Sequence, residues 1–147
     1  KRLPPGAVRF DTRFSIGEDT DQWYRLALQG KIGYLNRVLG SYRQHATSIT
    51  QNRELYLKDT LQVWQHNFER VKCMLSQSEL GKYRAKISER FAHLAYVQYL
   101  EYRFLDARLA YGEALTWSLS LEAIIGYVKT FMPARLVRWL KKFNQKK

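Results

Sequence analysis

Cysteine is nearly absent from this sequence: Cys73 stands alone among 147 residues. No disulfide can close within the chain, a zinc site built on several thiolates is excluded, and the scarcity fits a reducing compartment. Cys73 itself reads as a small buried hydrophobe. Long apolar runs are missing too. The richest stretch, Leu119 to Met132, is interrupted by Glu122 and Lys129 and is too short to span a bilayer, so no transmembrane helix is expected. No secretory leader pattern opens the sequence, and the first residue is Lys1 rather than Met, so a longer parent protein is expected.

Acid is also scarce, with 13 Asp plus Glu against 25 Lys plus Arg and a formal charge of +12. Such an excess attracts something anionic, whether nucleic acid, acidic lipid or a phosphorylated ligand. Residues 1–50 carry 8 basic and 4 acidic residues and residues 51–147 carry 17 and 9, so most of the excess lies in the second stretch. Nucleic acid is not the expected partner, because no recognised motif is present and the basic residues are spread over several helices. A chain of this length buries roughly two-thirds of its unfolded surface and is expected to form one domain, with or without an appendage.

Pro4, Pro5, Gly6 and Gly17 mark a loop-rich start. Glu18, Asp19, Thr20 and Asp21 then supply capping oxygens and negative charge, Trp23, Leu26 and Ala27 form an apolar stripe, and Gly30 can close a helix spanning about Thr20 to Gln29. Ile32 to Leu35 and Val38 to Tyr42 are β-prone and predict two short strands, or one strand and an extended segment. Beyond a polar connector, Leu57, Leu61, Trp64, Phe68, Val71 and Leu75 recur at alternating four- and three-residue steps, the seam of a long amphipathic helix. A second helix is expected from about Lys82 to Tyr102 and a third from Phe104 to Ser118, joined as antiparallel neighbours. With Phe91, Leu94 and Ala95 on one and Ala107, Tyr111 and Ala114 on the other, the pair resembles a single tetratricopeptide repeat, although an ordinary helical hairpin is the better expectation because one repeat cannot bury its own face. After Pro133, Leu136, Val137, Trp139, Leu140 and Phe143 alternate with Arg135, Arg138, Lys141 and Lys142, a basic amphipathic helix suited either to acidic lipid or to packing on the bundle.

The segment Phe10 to Thr50 carries the most specific pattern: Phe10-Asp11, Glu18-Asp19 opening a helix, Arg25-Leu26 within it, Gly30 closing it, Tyr34-Leu35, and then Tyr42-Arg43-x-His45. In order and spacing it resembles the acceptor-side end of the catalytic domain of inverting family 2 glycosyltransferases. Val8 and Arg9 stand where that family commonly has a Gly-Gly pair. Taken with the helical patterning beyond residue 51, the resemblance implies a mainly α chain: residues 1–51 a small α/β remnant of a GT-A domain, with one helix and short strands, and residues 52–147 a helical bundle or hairpin tail. It implies transfer of a sugar from a nucleotide-diphosphate donor, with a divalent ion (Mn or Mg), to a glycan or lipid-linked acceptor in surface polysaccharide synthesis. The donor-binding half lies outside these residues, so the chain alone is expected to be inactive.

The resemblance assigns Asp19 as the catalytic base that takes the acceptor proton; the positive end of a helix dipole favours a carboxylate there, as it also does for a plain cap. By the same resemblance Glu18 contacts the acceptor or sets the loop, Arg43 assists donor-phosphate binding and His45 is a metal ligand. Asp19-Thr20-Asp21 matches the short DxD string that holds metal in such enzymes, but it opens a helix instead of following a hydrophobic strand, so Asp21 reads as structural. His66 and His93 receive no role. The alternative to an enzyme fragment is a non-catalytic helical module for protein interaction or homodimerisation. A cytoplasmic location is expected, with the tail peripheral on an acidic inner membrane face as a further expectation.

Overall fold

The structure, a computed structural model, describes residues 9–43, 48, 51–133 and 135. It is mainly α, as the sequence predicts: α1 (Glu18–Ala27), α2 (Arg53–Val71), α3 (Gln77–Leu100), α4 (Phe104–Trp117) and α5 (Leu121–Lys129). The chain divides into two compact units, Lys1–Cys73 and Met74–Lys147. The compositional change at 51/52 is therefore a different boundary from the one between units, and α2 belongs with α1.

In the first unit α1 starts at Glu18, two residues before its expected start, and its cap is Gly17 at φ 86° with no side-chain hydrogen bond. Glycine is needed there twice over: the backbone is left-handed, and a Cβ would stand 3.3 Å from Val63 Cγ2 on α2. The predicted stripe of Trp23, Leu26 and Ala27 is not the docked face. Trp23 is 63% exposed and Ala27 is exposed, whereas Asp21 is fully buried and Tyr24 and Arg25 are half-buried. A polar edge thus faces α2, with the Tyr24 ring edge-on to Trp64 at 5.9 Å.

The α2 seam holds for Leu57, Leu61, Phe68 and Val71, all buried, while the Asn52 side chain caps the helix by accepting from Leu55 N at 3.1 Å. The helix stops at Val71, so Leu75 falls beyond it. Cys73, expected to be buried, is exposed in the turn that follows.

No strand forms among the described residues. Residues 31–43, where short strands were expected, are irregular and exposed throughout, with one local bond from Arg37 N to Leu35 O at 2.9 Å. Strand propensity is realised only where a neighbour supplies ladder partners, and the described residues offer none.

The second unit starts with a capping box. Ser76 Oγ accepts from Glu79 N at 3.4 Å and the Glu79 carboxylate accepts from Ser76 N at 2.8 Å, which starts α3 five residues before the expected Lys82. Tyr102, at φ 64°, turns the chain into α4. Arg84 and Ser88 in the first half of α3 meet the end of α4, whereas Tyr99 near its end meets Phe104 at the start of α4, so the two helices are antiparallel as predicted. Ala92 and Ala95 on α3 and Ala107, Ala110 and Ala114 on α4 are all buried, and these small side chains permit close approach.

Two arginines finish helices that are not their own. Arg84 donates to the carbonyls of Trp117 (3.0 Å) and Thr116 (3.2 Å) at the end of α4. Arg108 donates to Thr130 O (3.2 Å) and Oγ1 (3.3 Å) at the end of α5 and lies over the Phe131 ring at 3.7 Å. Both satisfy orphan carbonyls where the helix dipole favours a cation.

α5 rests on α4 through small residues. A Cβ added at Gly126 would overlap the Tyr111 ring, which therefore lies directly on the α5 backbone. Alanine ordinarily stabilises a helical glycine position, and Gly81 in α3, with open space around it, provides the comparison. Gly81→Ala is expected to raise stability by about 0.5–1 kcal/mol, and Gly126→Ala to lower it by about 1–3 kcal/mol through overpacking, both read from urea unfolding.

Candidate functional site

The first unit builds its site from a loop, the amino end of α1 and one side of α2. The loop is fastened at four places. Arg13 forks onto Asp11 (Nη2–Oδ2 2.7 Å, Nε–Oδ1 3.0 Å) and reaches His66 Nε2 on α2 at 3.2 Å. The Phe14 ring packs tilted on His66 at 5.7 Å, Ser15 Oγ donates to Asp59 Oδ2 at 2.5 Å, and Arg25 Nη2 donates to Arg9 O at 2.6 Å.

Guanidinium has no acceptor, so in this contact His66 Nε2 must be the unprotonated nitrogen. Burial, then the nearby charges of Arg70 and Arg13, lower the His66 pKa from its ordinary 6.5. Hydrogen bonds from Arg13 hold the Asp11 carboxyl well below the usual carboxylate range. His66 was assigned no role from the sequence; the structure makes it the loop's seat on α2.

Asp21 fixes α1. Its Oδ1 accepts from Arg70 Nη1 at 2.8 Å and Asn67 Nδ2 at 3.0 Å, and its Oδ2 accepts from Arg25 Nε at 2.8 Å. Asn67, also fully buried, donates in addition to Val63 O at 3.0 Å. The structural reading of Asp21 is thereby supported. Its partners on α2 had one visible signal, a lone Asn between Trp64 and Phe68 on an otherwise apolar side of the helix.

With Asp21 turned inward, the preceding acids face solvent. Asp19 is exposed, in the first turn of α1 and not at its cap, and among the described residues its side-chain hydrogen bonds are to Thr20 alone, from N at 2.6 Å and Oγ1 at 3.3 Å. Glu18 and Asp19 line an open cleft of about 250 Å³ together with Ser15, Gly17, Thr20, Tyr56 and Thr60. Carboxylates and hydroxyls around a helix amino end are suited to binding a polyhydroxyl compound and accepting a proton from it.

Of the four residues singled out from the sequence, the structure brings Glu18 and Asp19 together. Arg43 is exposed in the irregular segment and does not line the cleft. His45 lies outside the described residues. One Asp of the DxD string is exposed and the other is buried between two guanidinium groups, so they do not converge on a common ion, and no group of three or more metal-ligating side chains occurs among the described residues.

Comparison of the chain with family models, with curated proteins and with solved structures finds no match.

Two outcomes are expected for the scaffold. Asp21→Ala leaves two buried or half-buried guanidinium groups without their counter-charge and should cost about 3 kcal/mol or more, whereas Asp19→Asn should stay within about 0.5 kcal/mol of wild type, both by urea unfolding. For pH, the lowered His66 value means that the unfolded chain binds the proton more readily. This contribution to stability is whole above about pH 6.5 and is lost as pH falls towards the lowered value. Thermal melting across that window should fall more steeply for wild type than for His66→Gln.

Proposed function

We propose that the chain is the C-terminal part of an inverting family 2 glycosyltransferase, in which the amino end of α1 forms the acceptor side of the active site. The observation that carries this reading is the division of labour within one helical turn. Asp21 is locked into the scaffold by Arg25 and Arg70, while Asp19 stands exposed beside Glu18 on an open cleft, at the positions where the sequence resembles the family's Glu-Asp pair.

In this reading Asp19 takes the proton from an acceptor hydroxyl as that oxygen attacks the anomeric carbon, and the nucleoside diphosphate departs from the opposite face. Glu18, with the Ser15 and Thr20 hydroxyls nearby, orients the acceptor. Arg43 assists with the donor phosphates once the donor-binding half is present. The described residues do not by themselves assemble a divalent-ion site, so the chemistry assigned to this chain rests on Asp19 and Glu18.

The irregular segment supports the finer fold assignment, an edge of a mixed α/β domain. Ile32, Tyr34, Leu35, Val38, Leu39 and Tyr42 are each more than 60% exposed, an unusual state for β-prone apolar side chains, and the donor-binding half would supply the strand partners they lack here.

The test is turnover of a panel of nucleotide sugars by the longer protein that contains these residues. Asp19→Asn should lose on the order of a hundredfold or more in kcat with an unchanged melting curve. Equal turnover in the two proteins would reduce Asp19 to a first-turn carboxylate and remove the basis of the assignment.

A further inference from the structure

In the second unit α5 is built inside out. Leu121, Ile124, Ile125 and Val128 recur at i, i+3, i+4 and i+7, the spacing of the stripe that a surface helix ordinarily turns to its core. Here that stripe faces outward, with Leu121 73% and Val128 60% exposed. The opposite side, Ala123, Gly126 and Thr130, is the buried one, held against Tyr111 and Arg108. Leu119 and Phe131 are exposed as well and continue the apolar surface at the two ends of the helix. A contiguous apolar surface of this kind marks a contact with something else.

Charge identifies what covers it. From Leu119 to the end the sequence holds seven Lys or Arg (Lys129, Arg135, Arg138, Lys141, Lys142, Lys146, Lys147) and one acid, Glu122. An apolar stripe continued by a basic stretch matches the boundary between acyl chains and anionic headgroups. A second copy of the chain fits less well, since pairing would bring two strongly cationic segments together. No described helix is long and apolar enough to cross a membrane, and α5, nine residues and about 14 Å long, suits an orientation in the membrane plane.

We propose that the outer face of α5 inserts into an anionic membrane surface, to which the excess of basic residues in the sequence from Lys129 onward attracts the chain. The inference goes beyond sugar transfer and does not depend on it, because binding is read without any nucleotide sugar. Flotation of the 147-residue chain with phosphatidylcholine vesicles, with and without about 30% phosphatidylserine, tests it. The chain should float with the acidic vesicles, much less with the neutral ones, and less as NaCl is raised from about 0.05 to 0.5 M. The outward pair Ile124→Glu with Val128→Glu should keep the wild-type far-UV spectrum and melting curve and lower acidic-vesicle partitioning at least about tenfold. The uncharged pair Ile124→Gln with Val128→Gln should give the same order of effect, and it serves if the charged pair misfolds. Wild-type indifference to acidic vesicles, undiminished flotation of both folded variants, or a wild-type dimer that the substitutions dissolve would each overturn the proposal.

Discussion

The first unit depends on a fully buried carboxylate. α1 is only ten residues long, too short to persist by itself in water, and its one fully buried residue is Asp21. Apolar packing from α1 itself is slight, since Trp23 and Ala27 face solvent; Ile16 and Gly17, just before it, make the close apolar approach. What sets its rotation on α2 is the bonding of Asp21 to Asn67 and Arg70 across the two helices, with Arg25 of α1 completing the cluster. Buried ion pairs are a poor source of net stability, because desolvation offsets most of the attraction. They are good at fixing geometry, since a rotated α1 would separate Asp21 from the Arg70 guanidinium and the buried Asn67 amide on α2. In this way Asp21 determines that Glu18 and Asp19 face the cleft.

The second unit achieves order differently. Alanines let α3 and α4 approach closely, Tyr111 lies directly against the α5 backbone at Gly126, and Arg84 and Arg108 close the carboxyl ends of neighbouring helices. The tight seat of Tyr111 also pushes its phenol up to about 12, with burial the main cause and the negative charge of Glu122 next. These contacts change how the charge of +12 should be read. Arg13, Arg25, Arg70, Arg84, Arg103 and Arg108 are all engaged within the fold. The basic residues left to attract a partner are therefore fewer than the composition suggests, which gives the acid-poor stretch after α5 greater weight.

Much of the helical content was legible because α2, α3 and α4 carry strong local signals. What escaped did so for identifiable reasons. α3 begins at a Ser76-to-Glu79 capping box that lies ahead of its apolar periodicity, so reading from the periodicity starts it late. The α1 stripe was misassigned because a ten-residue helix can dock through a buried ion cluster, and hydrophobic patterning carries no information about such a face. The strands expected over 32–42 failed because β-propensity describes fit to a sheet and not a property of the isolated segment. At the candidate site, the acid-rich stretch located the start of α1 and Asp21 could be set apart as structural, whereas the roles of Glu18 and Asp19 rest on the family resemblance and not on the helix start itself. The Asp21 partners Asn67 and Arg70 are 46 and 49 residues away, a pairing that local sequence cannot convey.

The same geometry constrains any role for the acid-rich turn. Residues two apart on a helix lie about 200° apart around its axis, so Asp19 and Asp21 must face opposite ways once the helix is formed. With Asp21 committed to α2, a bidentate cation site from this pair would require α1 to unwind and two arginines to lose their counter-charge. A single exposed carboxylate held at a fixed point on a rigid helix end requires neither. Reactions that ask one side chain to accept one proton from a docked hydroxyl are compatible with this architecture, and those that ask both aspartates to share an ion are opposed by it.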